Sequence, residues 1–168
     1  MKAPIVAWCL LMACGGGASD PVRAVRPPER DLVKENRDAV RLEDRDIDLY
    51  AQRNGLELAT SGTGVRHRLL RDAEGANVRP EQWATVNYRV ELLNGDTAYS
   101  SPAGKPESFL VEMDDVESGL HEAVQLMSVG DSAVVIIPSY RAHGLIGDMD
   151  KVPMRSSVVY WIGLVKVR

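Results

Sequence analysis

The residues of this chain best suited to covalent or metal chemistry are three histidines and two cysteines, and their placement argues against both uses. His67, His121 and His143 show no ligand spacing, and Cys9 and Cys14 both sit at the extreme N-terminus. His67 and His121 are therefore expected at the surface. The chemistry that remains is that of an apolar concavity. In "VESGLHEAVQLMSVGD", residues 116–131, the side chains of Val116, Leu120, Ala123, Val124 and Met127 share about a third of a helical wheel. His121, Glu122 and Gln125 lie opposite. The apolar face of this short helix either plugs a core or also forms the floor of a pocket.

Such a floor needs walls. Gly130-Asp131 ends the helix and leads into "SAVVIIP", a run so apolar that both faces of the strand must be covered. The clearest alternation is 85–93, where Val86, Tyr88, Val90 and Leu92 point one way and Thr85, Asn87, Arg89 and Glu91 the other, before Asn94-Gly95-Asp96 turns the chain. Further strands are expected at 65–70, 108–111, 133–137 and 158–167. The fold class is α+β, an antiparallel β-sheet wrapped around a short α-helix and preceded by a charged N-terminal helix. That helix, 29–54, alternates charge and carries Val33, Val40, Ile47, Tyr50 and Ala51 at helical spacing, ending at Asn54-Gly55. Its narrow stripe either lies on the domain, spaces it from a membrane, or serves self-association.

Ahead of the helix the pattern is different. After Met1 and Lys2 comes an apolar run of ten, Ala3 to Met12, too short to span a bilayer and suited to a signal-peptide core. Leu11-Met12-Ala13-Cys14 resembles the bacterial lipobox, which implies cleavage before Cys14 and lipidation of that residue. Cleavage removes Cys9 and leaves no disulfide partner. Residues 1–13 are thus expected to be a lipoprotein signal peptide, 14–28 a Gly- and Pro-rich tether, 29–54 the helix and 56–168 the folded domain. By likeness to other lipoproteins, Gly15 after the cysteine points to the bacterial outer membrane, with the protein facing the periplasm. With 168 residues, one domain is expected, and a net charge of −4 with interleaved signs gives no nucleic-acid patch.

From Gly62 to Val167 the order of features resembles the FKBP-type peptidyl-prolyl cis/trans isomerases: "GTG", the strand "ATVNYRVELLNG" running on to "YSS", "KPESFLV", "VESGLHEAVQLMSVGD", "VVIIPSYRAHG", a flap from Gly144 to Pro153, and "VVYWIGLVKV". With the lipobox and the charged helix, the nearest resemblance is to gliding-motility-associated FKBP-like lipoproteins. The resemblance implies a pocket for a proline ring lined by Tyr88, Phe109, Val116, Leu120, Val152 and Tyr160. Leu120 takes the place of a frequent Trp, and His143 that of a flap Tyr that donates a hydrogen bond. The N–H of Glu117 is implied as a donor to a bound carbonyl. It further implies proline-containing polypeptide segments as partners, no cofactor and no metal.

Two departures bear on activity. Where the family carries an aromatic-Asp pair before the "SS" turn, this chain has Ala98-Tyr99; Glu107 replaces a rim aromatic, and Lys151 stands at a flap position that contacts ligand. The resemblance implies that without this acid isomerase activity is reduced, with Tyr99 supplying only a neutral hydroxyl, and Tyr99→Asp is expected to raise the rate. The function expected is a membrane-tethered isomerase assisting the folding of envelope or secreted proteins. The alternative is a non-catalytic binding or chaperone module in a gliding or secretion assembly.

Overall fold

The structure, a computed structural model, describes residues 31–168. The expected signal peptide 1–13, lipidated Cys14, tether 14–28 and first residues of the charged helix lie outside the described residues. Residues Leu32–Arg168 form one compact unit. Its elements are α1 (Leu32–Arg53), β1 (Ala59–Thr60), β2 (Arg66–Arg71), β3 (Trp83–Leu92), β4 (Thr97–Ser100), β5 (Glu107–Leu110), α2 (Ser118–Val124), β6 (Ser132–Ile137), a 3-10 turn (Ser139–Arg141) and β7 (Val158–Val167). All pairings are antiparallel, in the order β1-β2-β6-β7-β3-β4, and β5 shares an edge of β3 with β4. The short strands β1 and β4 were not legible as periodic runs, because so few residues hold no period.

The unbroken apolar run of β6, Ala133 to Ile137, has a direct structural counterpart. Ala133, Val135 and Ile137 face the main core with α2, while Val134 and Ile136 join Val159 on the other face. What covers that second face is α1, through Ile47 and Tyr50, with Leu56, Leu58, Leu93 and Trp161 around them. The stripe read from the sequence is thus only half used: Val33 and Val40 are exposed, whereas Ile47 is fully buried. Arg66, itself buried, adds ion pairs to Asp44 (3.1 Å) and Asp48 (3.3 Å) of α1. Truncating Ile47→Ala removes a fully buried side chain and is expected to cost about 2–5 kcal/mol in denaturant unfolding. A loss below about 1 kcal/mol, as for surface sites, would mean that α1 does not dock on the sheet.

On the concave side, α2 approaches β6 so closely that only glycine fits at Gly119: a Cβ there would sit 2.3 Å from Ile137 Cγ2. Asp131, at the start of β6, ties this region to the loop after β2. Its carboxylate accepts the N–H of Ser128 and of Ala73, both at 2.6 Å, and the Ser128 hydroxyl at 3.1 Å. Burial alone would push the Asp131 carboxyl up, but those donors and the charge of Arg71 outweigh it and hold it below the usual carboxylate range. A carboxyl held low in the folded state contributes stability above its unfolded pKa of about 4 and loses it as the pH falls further. The melting temperature is therefore expected to drop as the pH is lowered below about 4, and Asp131→Asn to flatten that drop.

His121 is a correction to the sequence reading. Instead of lying on a solvated face it is buried, because the turn after β5 folds over that side of α2. Its Nδ1 accepts the N–H of Glu112 at 2.9 Å, so Nε2 carries the proton toward the Asp114 carbonyl at 3.1 Å. The ring also meets Phe109 edge-on, with centroids 5.6 Å apart. His67, also expected at the surface, is half-buried on β2, and its Nδ1 is enclosed without a partner among the described residues.

Candidate functional site

Side chains from four elements converge on a hollow of about 190 Å³ on the concave side of the sheet. Strand β3 contributes Val86 and Tyr88, β5 Glu107, Ser108 and Phe109, and β7 Tyr160 and Ile162; the N-terminal end of α2 closes it with Val116, Glu117 and Leu120. Small-molecule sites usually occupy roughly 300–1,000 Å³. This hollow is therefore sized for a single side chain or ring. The tyrosine rings of Tyr88 and Tyr160 are tilted at 48° with centroids 6.2 Å apart, so they form two walls and do not stack to fill the space. A larger hollow of about 430 Å³ beside α1 lacks any aromatic lining.

Each tyrosine hydroxyl is committed to a carboxylate. Tyr88 donates to Glu107 at 2.9 Å and Tyr160 to Glu117 at 2.7 Å. Burial and then its bond to Glu107 push Tyr88 up to about 12, and burial followed by the Glu117 charge pushes Tyr160 well above the usual tyrosine range. Both rings therefore remain neutral at all ordinary pH. His143 Nε2 lies 3.0 Å from the same Glu117 oxygen that Tyr160 uses, which draws the flap toward α2. The N–H of Glu117 takes part in none of the backbone hydrogen bonds of the described residues, although its carbonyl accepts from Leu120 and His121. That leaves one backbone donor at the edge of an apolar hollow.

Of the residues singled out from the sequence, Tyr88, Phe109, Val116, Glu117, Leu120 and Tyr160 are brought together around the hollow. Val152 is buried in the main core and does not line it. Tyr99 does not line it either. Its hydroxyl donates to Asp148 of the flap and lies 3.4 Å from Asp150, while the Lys151 ammonium sits 4.8 Å above its ring. The acid absent from β4 is thus present on the opposite partner: the strand offers the hydroxyl and the flap the carboxylate. Burial opposes the charge on Asp148, but the Tyr99 hydroxyl, the N–H groups of Asp150 and Val152, and His143 outweigh it and bring it down to about 2. Tyr99 is pushed up to about 12, chiefly by its bond to Asp148. Asp148 was missed from the sequence because the flap holds two aspartates in irregular backbone, with no period to say which one turns inward.

Family and fold comparisons point the same way as this geometry. A model of the FKBP-type peptidyl-prolyl cis-trans isomerases matches residues 75–165. The chain is 31% identical over 109 residues to a protein of Neisseria meningitidis named a probable FKBP-type peptidyl-prolyl cis-trans isomerase FkpA, a match covering 64% of this chain and 39% of that one. It is 27% identical over 124 residues to a Legionella longbeachae protein named outer membrane protein MIP, covering 73% and 52%. The chain thus spans about half the length, or less, of these curated relatives. The crystal structure of FkpA from Escherichia coli superposes with a TM-score of 0.67 at 24% identity, covering 82% of this chain and 64% of that one, which is a likeness of fold.

Proposed function

Because the chain belongs to the FKBP-type peptidyl-prolyl cis-trans isomerase family, we propose that its hollow accepts the proline ring of a polypeptide segment and catalyses rotation about the bond preceding it. That rotation faces a barrier of about 18–20 kcal/mol, because the twisted amide loses resonance. The planar amide carries more separated charge than the twisted one. Moving it from water into apolar surroundings therefore raises the ground state relative to the transition state. The N–H of Glu117 is placed to hold the carbonyl on one side, and no bond is made or broken, so neither a nucleophile nor a metal is required.

The observation that carries this reading is the space between Leu120, Tyr88 and Tyr160, where a filled core would leave none. Isomerisation takes tens of seconds uncatalysed and limits folding, so even a modest rate benefits a client. We extend the proposal to a protein tethered through lipidated Cys14 and the 14–28 linker, facing the periplasm from the outer membrane and acting on envelope or secreted proteins. The lipobox-like Leu11-Met12-Ala13-Cys14 supports that placement, as does the similarity to a protein named outer membrane protein MIP; a relation to gliding-motility-associated lipoproteins is part of the same proposal. Among the described residues no helix is long and apolar enough to cross a membrane. The division into 1–13, 14–28, 29–54 and 56–168 belongs to the same proposal.

Exchange spectroscopy on Xaa-Pro peptides tests it: exchange between cis and trans signals that grows with protein concentration is the expected result. Shift changes without exchange would support the alternative, a binding module that holds an extended segment in an envelope assembly. The commitment of both tyrosine hydroxyls and His143 to carboxylates is the observation on which that alternative stands.

A further inference from the structure

The loop 138–157, which carries His143, Asp148 and Val152, exposes most of its apolar side chains: Leu145, Ile146, Met149 and Met154 are each more than half accessible. Gly144 and Gly147 within it adopt positive φ. A segment with so few buried contacts has little packing to place it and depends on its anchors. Among its anchors are His143 on Glu117, Asp148 under Tyr99, Val152 in the core, and Arg141, whose carbonyl accepts the Ser118 hydroxyl at 3.1 Å and whose guanidinium pairs with Glu122 at 3.2 Å. A further anchor comes from α1. Glu43, on α1, reaches both ends of the loop with one carboxylate.

Glu43 Oε1 accepts the N–H of Ser139 at 2.5 Å and the hydroxyl of Ser157 at 2.5 Å; Oε2 accepts the hydroxyl of Ser139 at 2.9 Å. Both serines are almost wholly excluded from water, at 5% and 3% exposure, so donors deprived of this carboxylate would be left buried and unpaired. The linkage continues toward the hollow. The Ser139 carbonyl accepts the N–H of Gly144 at 2.7 Å, next to His143, and the Gly144 carbonyl accepts the N–H of Arg155 at 3.1 Å. Shifting Ser139 or Ser157 therefore shifts the backbone that presents His143 to Glu117.

We propose that Glu43 is a positioning residue: the pairing of Ile137 with Val158 sets the loop's ends side by side, and Glu43, joining Ser139 to Ser157 just beyond that pair, fixes the path on which the loop leaves the sheet and so holds His143 against the proline hollow. The N-terminal helix then governs peptide binding without touching peptide. The kinetic part of this inference rests on the isomerase reading; the positional part does not.

The test uses the full chain with Glu43→Ala, Glu43→Gln, Ser157→Ala and Asp44→Ala. Glu43→Ala loses all three charge-assisted bonds, and KM for an Xaa-Pro peptide is expected to rise about tenfold with kcat changed less than about twofold. In Glu43→Gln the amide oxygen still accepts from Ser139 and Ser157 and the amide nitrogen donates to the Ser139 hydroxyl, so KM is expected within about twofold of wild type. Ser157→Ala removes one bond from the loop side and is expected to raise KM about threefold, which keeps the idea testable should Glu43→Ala fail to fold. Asp44→Ala weakens the tie between α1 and Arg66 and removes a carboxylate that bonds to Arg66 and not to the loop, and KM is expected to be unchanged. The His143 imidazole resonances, read by NMR without any assay, are expected to move in Glu43→Ala and Ser157→Ala and to stay in place in Asp44→Ala. Unmoved resonances in both loop-clamp variants, or an equal rise in KM in Asp44→Ala, would overturn the positioning role. Absence of turnover in the wild type would instead remove the isomerase reading and leave the resonance test standing.

Discussion

Leu120→Glu is expected to abolish the binding of Xaa-Pro peptides, weakening the dissociation constant by at least about a hundredfold. The side chain is 6% exposed and forms the floor of the hollow. A carboxylate there is removed from water with no cation among the lining residues to meet it, and Glu107 and Glu117 already place negative charge on the rim. Burying an unpaired charge costs several kcal/mol, and each 1.4 kcal/mol is tenfold in affinity. Leu120→Met conserves volume and apolarity and is expected to bind within about threefold of wild type. The measurement is a peptide titration followed by NMR, with near-ultraviolet circular dichroism confirming that the variant is folded. A folded Leu120→Glu protein that bound peptide normally would place the peptide elsewhere.

Tyr99→Asp is expected to lower kcat/KM by about tenfold, the opposite of what the family resemblance implies. In the sequence, Ala98-Tyr99 reads as the loss of an acid that aspartate would restore. In the structure the acid is already present, as Asp148 receiving the Tyr99 hydroxyl, with Asp150 at 3.4 Å from the same oxygen. An aspartate at 99 would therefore delete the donor and set a third negative charge against two others, while the Lys151 ammonium would lose the ring beneath it. The flap loses its anchor at that end. Tyr99→Phe keeps the ring and loses only the hydroxyl, so a smaller fall, about threefold, is expected. A rate for Tyr99→Asp above wild type would show that the pairing of Tyr99 with Asp148 does not support turnover.

Much of the architecture was legible before any coordinates. Strand β7 was expected at the residues where it lies, and β2, β3, β5 and β6 within a residue or two at each end, because period-two burial is a local property of an extended backbone. The apolar residues of α2, Leu120, Ala123 and Val124, were legible at a period of 3.6, although the helix stops at Val124, short of the expected end at Gly130-Asp131, and leaves Val116 and Met127 outside it. The order of blocks carried the family resemblance, and with it five of the six residues expected to line the hollow, Val152 being the exception, since strand order decides which side chains face α2. His121 shows the limit of this reasoning. A wheel places it opposite the apolar face, and only the turn after β5, folding back from just ahead of the helix, makes that side an interior.

The fine structure of the site was decided at long range. Helix α1 carries six acidic residues, Glu35, Asp38, Glu43, Asp44, Asp46 and Asp48, which are alike as a solvated charge pattern. Docking through Ile47 and Tyr50 rotates one of them, Glu43, onto serines 96 and 114 residues away. Likewise Asp148 and Asp150 are equivalent in the sequence until the flap folds over Tyr99 and chooses between them. Periodicity determined which faces are apolar and hence the sheet, the helix and the floor of the hollow. Which polar groups meet across it was settled only by tertiary packing, because hydrogen bonds depend on position to within a fraction of an ångström and leave no period along the chain.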